Sequence, residues 1–215
     1  MDSVISVENV KKKFGKELIL QDINLEVERG KIYGIIGRNG SGKSVLFKLI
    51  CGLLIPDSGT IRVFNEEISK GNFPRDIGIL LDSTGFMPYY SAFDNLKVIS
   101  SINGLVSNEE IKECIRCVGL DPEDKKNVKK YSVGMRQRLG IAQAIMERPK
   151  LLLLDEPMNG LDEEGVSEIR ALLLKMNQEK GITIVMTSHN REDIDILCDK
   201  VYKMESKTLT SFAIK

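Results

Sequence analysis

The chain has 215 residues, 42% apolar and 29% charged, and its 31 Lys plus Arg balance 31 Asp plus Glu. That is enough chain for one domain with a sizeable core, and the even balance excludes bulk electrostatics as a reason to bind nucleic acid or an anionic membrane surface. No apolar run approaches the roughly 20 residues that span a bilayer, and the N-terminus lacks the basic and apolar regions of a secretory signal, so a cytoplasmic chain without a nucleic-acid partner is expected.

The first third reads as β structure. "VISVENV", "ELILQDINLEVERG" and "KIYGIIG" are rich in Val, Ile and Leu and are separated by polar breaks. A glycine-rich loop follows, and then "KSVLFKLICGLL", which is apolar at helical spacing. "PDSG" marks a turn before a strand at "TIRVF", and Asp76 to Leu81 reads as another strand. From about Ser91 to Arg148 the pattern turns helical, with helices expected over Ala92 to Ile102, Asn108 to Val118 and Val133 to Glu147. Ser107 with Glu110 forms a capping box for the second of these. Cys114 and Cys117 share one face of that helix. No second Cys pair or His pair completes a zinc site, so they read as small buried apolar residues.

Alternation of β and α then resumes. "LLLLD" is a continuous apolar run, as a buried parallel strand should be. A helix over Glu163 to Lys180, a strand over Ile182 to Thr187, a helix over Arg191 to Cys198 and a final strand over Lys200 to Met204 are expected. The fold class is α/β in a single domain over 1–215. A helical subdomain at about 84–148 interrupts the α/β core. The chain is expected to end soon after its last core strand, with no added regulatory domain.

"GRNGSGKS", Gly37 to Ser44, matches G-x-x-x-x-G-K-[ST] at every fixed position, between a strand and a helix. Glycines let the backbone wrap closely and aim N–H groups at phosphate oxygens. The helix that follows adds its positive N-terminal end. Lys43 is expected to neutralise β- and γ-phosphate, and the Ser44 hydroxyl to ligate Mg²⁺. The nucleotide contacts assigned here are Gly37, Arg38, Asn39, Gly40, Ser41, Gly42, Lys43, Ser44 and Val45. At the end of "LLLLD", Asp155 is placed to support Mg²⁺, and Glu156 to accept a proton from attacking water. His189, the single histidine, follows a strand expected beside the acidic one, at the end where parallel sheets bind ligands. A role at the γ-phosphate is assigned to it.

A second serine-glycine turn, "YSVGM" at Tyr131 to Met135, precedes an expected helix. A phosphate loop, "YSVGMRQR", "LLLLDEP", "NGLD" and "SH", in that order, resemble the nucleotide-binding subunit of ATP-binding cassette (ABC) transporters over about Val4 to Met204. The resemblance implies a phosphate-loop NTPase core with a mostly parallel sheet, an N-terminal antiparallel β subdomain and the inserted helical subdomain. It also implies two subunits facing head to tail, each ATP clamped between the phosphate loop of one and the signature turn of the other. Ser132, Val133 and Gly134 would then contact the opposite subunit's ATP. Asp162 matches an acid that touches that subunit, His189 the γ-phosphate sensor, and Phe14 the aromatic that stacks on adenine. Implied with them are ATP and Mg²⁺ as ligands, a second nucleotide-binding subunit in a homo- or heterodimer, and a multi-span membrane permease. The subunit would sit peripherally on the inner face of the cell membrane. Non-transport ATPases of the same family, acting in cluster assembly, translation or repair, and an ATP-dependent regulatory module remain as alternatives.

Three positions depart from the family pattern. Val133 and Met135 replace a glycine and a glutamine of L-S-G-G-Q, and Asp82 stands where a Mg²⁺-contacting Gln is usual. With "GFMPYYSAFDNL" behind Asp82, these departures resemble the bacitracin and lantibiotic-immunity exporters. The stretch Phe86, Met87, Tyr89, Tyr90 and Phe93 divides between subdomain core and a patch for docking a partner helix.

Overall fold

The computed structural model describes residues 3–81 and 85–213. The β-branched N-terminal segments pair as two long antiparallel strands, β1 (Ser3–Phe14) and β2 (Glu17–Glu28), which turn at Gly15. With β4 (Ser58–Val63) and the short β5 (Glu66–Glu67) they form a sheet in the order β2-β1-β4-β5. A second sheet runs β10-β9-β3-β8-β7-β6. Its strands are β3 (Ile32–Ile36), β6 (Ile77–Leu80), β7 (Leu151–Leu154), β8 (Thr183–Thr187), β9 (Lys200–Glu205) and β10 (Thr208–Phe212). All its pairings are parallel except β9 with β10.

Apolar runs in β7 and β8 follow from burial on both faces. Leu151, Leu153 and Val185 face the layer shared with the N-terminal sheet and α1 (Lys43–Ile50). Leu152, Leu154, Ile184 and Met186 face the helices α2 (Ala92–Asn103), α3 (Asn108–Cys117), α4 (Val133–Ile145) and α5 (Glu163–Lys180). A last helix, α6 (Arg191–Leu197), returns the chain to β9. Period-2 alternation inside an all-apolar strand is what a sheet covered on both sides demands.

The helical segment contains the three expected helices, and the Ser107–Glu110 capping box makes both of its bonds. It is not a separate lobe throughout. A β-carbon at Gly78 in β6 would lie 1.9 Å from the Ala144 carbonyl oxygen, so α4 runs directly against the sheet backbone. Two expectations need correction. The strand at Lys200 is not the last, because β10 pairs back on β9 through a turn at Ser206 and Lys207, both at positive φ. The cysteines are not uniformly buried: Cys51 is, Cys114 is half-buried and Cys117 is exposed. Three residues of helix spacing place Cys117 past the seam, where α3 meets solvent.

Candidate functional site

Three neighbouring strands, β3, β8 and β7, point their carboxyl ends the same way, with β8 in the middle. The glycine loop leaves β3, Asp155 and Glu156 leave β7, and Ser188 and His189 leave β8. The parallel register therefore gathers groups distant in sequence at one sheet edge, where open α/β sheets bind ligands.

Backbone geometry builds the loop. Gly40 and Gly42 have φ of 76° and 108°, and a β-carbon at Gly42 would meet Leu20 at 2.6 Å. Only glycine meets both conditions without strain. Gly42 starts α1 and brings no side-chain cap to its first turn, where the helix's first N–H groups lack intrahelical acceptors. Lys43 is buried, and its ammonium donates to the carbonyls of Gly37 at 2.8 Å and Arg38 at 3.3 Å. A cavity of about 310 Å³ is lined by Ile19, Asn39, Gly40, Gly42, Lys43, Ser44, Val45, Asp155 and Glu156. Eight of the assigned nucleotide and acid residues thus meet in one place, while Gly37, Arg38 and Ser41 line an adjoining cavity of about 850 Å³ with Ser188 and His189.

Asp155 is buried. Its Oδ1 accepts from the Thr187 hydroxyl at 2.6 Å, and that same hydroxyl accepts from the Glu156 N–H at 2.8 Å. Glu156 Oε2 faces His189 Nδ1 at 2.8 Å and accepts from the His189 N–H at 3.2 Å. A carboxylate only accepts, so Nδ1 carries the proton. Among the described residues, Asp155 Oδ2 and Glu156 Oε1 are buried with no hydrogen-bond partner. Two such oxygens in a lysine-lined cavity call for a cation or a polar ligand. No cluster of three or more His, Cys, Asp or Glu forms a self-sufficient metal cage among the described residues. One hydroxyl and one buried carboxylate, completed by substrate phosphates, is instead the donor set that suits Mg²⁺. Asp82 lies outside the described residues.

The loop carrying His189 is braced from behind. Arg170 of α5 donates to Asp193 Oδ1 at 2.8 and 2.5 Å, and the Ser188 hydroxyl donates to Asp193 Oδ2 at 2.9 Å. Ser188 and Asp193 are both buried. Thr187 and this brace escaped sequence reasoning because their partners lie on other strands and helices. Two clues were present, a Thr at the end of an apolar strand and an acid shortly after the only histidine.

The signature turn sits apart. Ser132 caps α4 by accepting from the Met135 N–H at 3.1 Å, and Ser132 and Val133 are exposed. Val133 is the first residue of α4, a helical position with no positive φ, so its β-branch costs no backbone strain there. Gly134 lies against the 159–162 loop: a β-carbon on it would meet the Gly160 carbonyl oxygen at 2.7 Å. Asp162 caps α5, accepting from the Gly165 N–H at 3.0 Å. Ser132, Val133, Gly134 and Asp162 are absent from the lining of both cavities. Phe14 is 47% exposed at the end of β1, with the Lys12 ammonium 5.7 Å from its ring centre, and it lines neither cavity. The aromatic stretch divides: Phe86 and Phe93 pack against the core, while Tyr89 and Tyr90 are exposed.

A glycine loop between strand and helix, faced by an Asp and a Glu from the next strand but one, defines a phosphate-loop NTPase. The sequence signature of the family described as "ABC transporter" matches residues 20–159, and the chain belongs to that family; it is an ATP-binding cassette ATPase. It is 43% identical over 202 residues to an uncharacterized ABC transporter ATP-binding protein, YybJ, of Bacillus subtilis (strain 168), covering 94% of this chain and 92% of that protein. The bacitracin transport ATP-binding protein BcrA of Enterococcus faecalis is 40% identical over 94% of this chain, which spans 66% of that longer relative. The lantibiotic transport ATP-binding protein SrtF of Streptococcus pyogenes is 40% identical, over 91% of this chain and 84% of its own length. Among solved structures, the dimeric post-hydrolysis state of the cassette MJ0796 bound to ADP and Pi superposes with a TM-score of 0.87 at 25% identity, over 98% of this chain and 99% of that one. The bacitracin and lantibiotic resemblance read from Asp82 and "YSVGM" is thereby borne out at the level of relatives. No helix among the described residues is long and apolar enough to cross a membrane.

Proposed function

We propose that this chain is the ATP-hydrolysing subunit of an exporter for a peptide antibiotic or a similar molecule, working as a pair on a separate multi-span permease at the inner face of the membrane. The observation that carries the catalytic part is the single cavity lined by Lys43, Ser44, Asp155 and Glu156, with two buried carboxylate oxygens lacking partners among the described residues. Lys43 exchanges its loop carbonyls for β- and γ-phosphate oxygens, and the N–H groups of residues 39–44 cradle the rest. Ser44 and Asp155 would hold Mg²⁺, with Asp82 as a further donor; when bound, the ion would neutralise charge on the nucleotide's phosphates. Glu156 takes the proton of the attacking water, and His189, held by Glu156 Oε2, stands at the γ-phosphate end. Phe14 stacks on the base.

Pairing follows from the exposed N-terminus of α4. Ser132, Val133 and Gly134 offer N–H groups to an anion that their own chain does not bring, and a second copy or a related subunit would supply its bound nucleotide there. The 86–90 segment supports a permease contact, because Tyr89 and Tyr90 are exposed and the carbonyls of Tyr90 and Pro88 accept from Val128 and Lys129, just before the signature turn. The peptide class rests on the names of the bacitracin and lantibiotic relatives.

The test is Glu156→Gln. It should keep ATP affinity, lose about 10²–10⁴-fold in turnover, and form an ATP-dependent dimer by size-exclusion chromatography. Tagged and pulled from detergent-solubilised host membranes with ATP and Mg²⁺, it should bring a multi-span protein with it. Rapid hydrolysis would sink the role of Glu156, and recovery of only cluster-assembly or ribosomal proteins would sink the transport reading.

A further inference from the structure

Glu156 has a positive φ of 48°, a conformation that a residue with a β-carbon holds only when its surroundings impose it. Its peptide groups are clamped on both sides. Thr187 Oγ1 takes its N–H at 2.8 Å, and its carbonyl accepts from the Asn159 N–H at 3.0 Å and from Gln137 Nε2 at 2.9 Å. A carbonyl oxygen only accepts, so the nitrogen of the Gln137 amide must face it. Gln137 lies on α4, one turn past the signature.

The same helix also grips the far end of that loop. Gly134 abuts the Gly160 carbonyl, and the Val133 side chain covers the spot where Gly160, at φ 75°, has no β-carbon; one placed there would meet Val133 Cγ1 at 2.5 Å. The first turns of α4 therefore hold the 156–160 segment at both ends. The surface proposed to meet the partner's nucleotide is wired to the carboxylate that serves this chain's own nucleotide.

We infer that Gln137 is a positioning residue for hydrolysis. It transmits the placement of α4 to the backbone of Glu156, so that engagement of one half-site orients the base of the other. This rests on the reading of Glu156 and of the paired subunits given above. Asn159 still satisfies the Glu156 carbonyl when Gln137 is replaced, so no buried acceptor is orphaned and the variants should fold.

The experiment compares Gln137→Met, which keeps length and bulk without a donor, and Gln137→Glu, which sets an acceptor against the carbonyl. Each is made in the parent chain and in Glu156→Gln, with steady-state hydrolysis, equilibrium ATP affinity and thermal midpoint measured. In the parent, Gln137→Met should lower kcat about five- to tenfold, the rate equivalent of one hydrogen bond, with affinity and midpoint unchanged, and Gln137→Glu should lower it further. In the Glu156→Gln background neither change should slow the residual rate again. An undiminished kcat in Gln137→Met, or an equal loss in both backgrounds, would overturn the inference alone. Full turnover by Glu156→Gln by itself would overturn the reading of Glu156 and this inference with it.

Discussion

The turns at 37–44 and 131–135 each open a helix, but one is walled in by its own chain and the other stands open. At the phosphate loop, β2 and the end of β7 close around the helix end: Ile19, Asp155 and Glu156 line the same cavity as Lys43, and no side chain caps α1. At the signature turn, Ser132 supplies the cap itself, and Ser132 and Val133 face solvent. An uncapped helix end facing a lysine and buried acids is prepared for an anion with a cation beside it. A self-capped, exposed end keeps its stability without a ligand and meets one only from outside. The difference shows how a chain carries one anion site that it furnishes alone and one that it merely presents.

The largest effect should come from the wall of the enclosed site. Asp193 is 1% exposed and joins Arg170 to Ser188, so Asp193→Ala takes the buried carboxylate away from both and leaves the Arg170 guanidinium only the exposed Glu192. Losing the charged hydrogen bonds of that carboxylate should cost about 3 kcal/mol, read by urea denaturation, and should slow hydrolysis by loosening the His189 loop. Lys43→Met comes next. Losing a buried charged contact to phosphate should weaken ATP binding to the isolated subunit by about 10²-fold, measured by titration calorimetry. Ser132→Ala is the counterpart that sharpens the contrast. It should cost about 1 kcal/mol of stability as a lost helix cap and lower turnover, while isolated-subunit affinity stays unchanged. A Ser132→Ala chain that loses affinity as a monomer would break the comparison.

The smallest effect concerns the thiols. Burial pushes Cys198 up to about 12 and Cys114 up to about 11, from a reference of 9.0. The folded chain holds the Cys198 proton more tightly than the unfolded chain, so its contribution to stability is complete below pH 9.0 and is lost as pH climbs towards about 12. At mildly alkaline pH, a thiol reagent should therefore modify exposed Cys117 first, half-buried Cys198 more slowly, and buried Cys51 only at the rate of unfolding.

Much of this was legible in the residues because the signals are local. The loop Gly37 to Ser44 declares itself by spacing, α5 begins and ends at the expected Glu163 and Lys180, and the Ser107 cap needs only Glu110 nearby. The parallel run Leu151 to Leu154 had to be buried on both faces because no position in it is polar. What the chain could not declare were relations between elements. β10 is a modest strand that exists because β9 offers it an edge. Thr187 becomes the bridge between Asp155 and Glu156 only because β8 lies beside β7 in this register. Gln137 reaches the Glu156 carbonyl only because α4 returns across that loop. Spacing along a chain reports local hydrogen bonding and local burial, whereas a contact between strands or from helix to loop depends on the packing that brings them together, and that packing was decided by the tertiary structure.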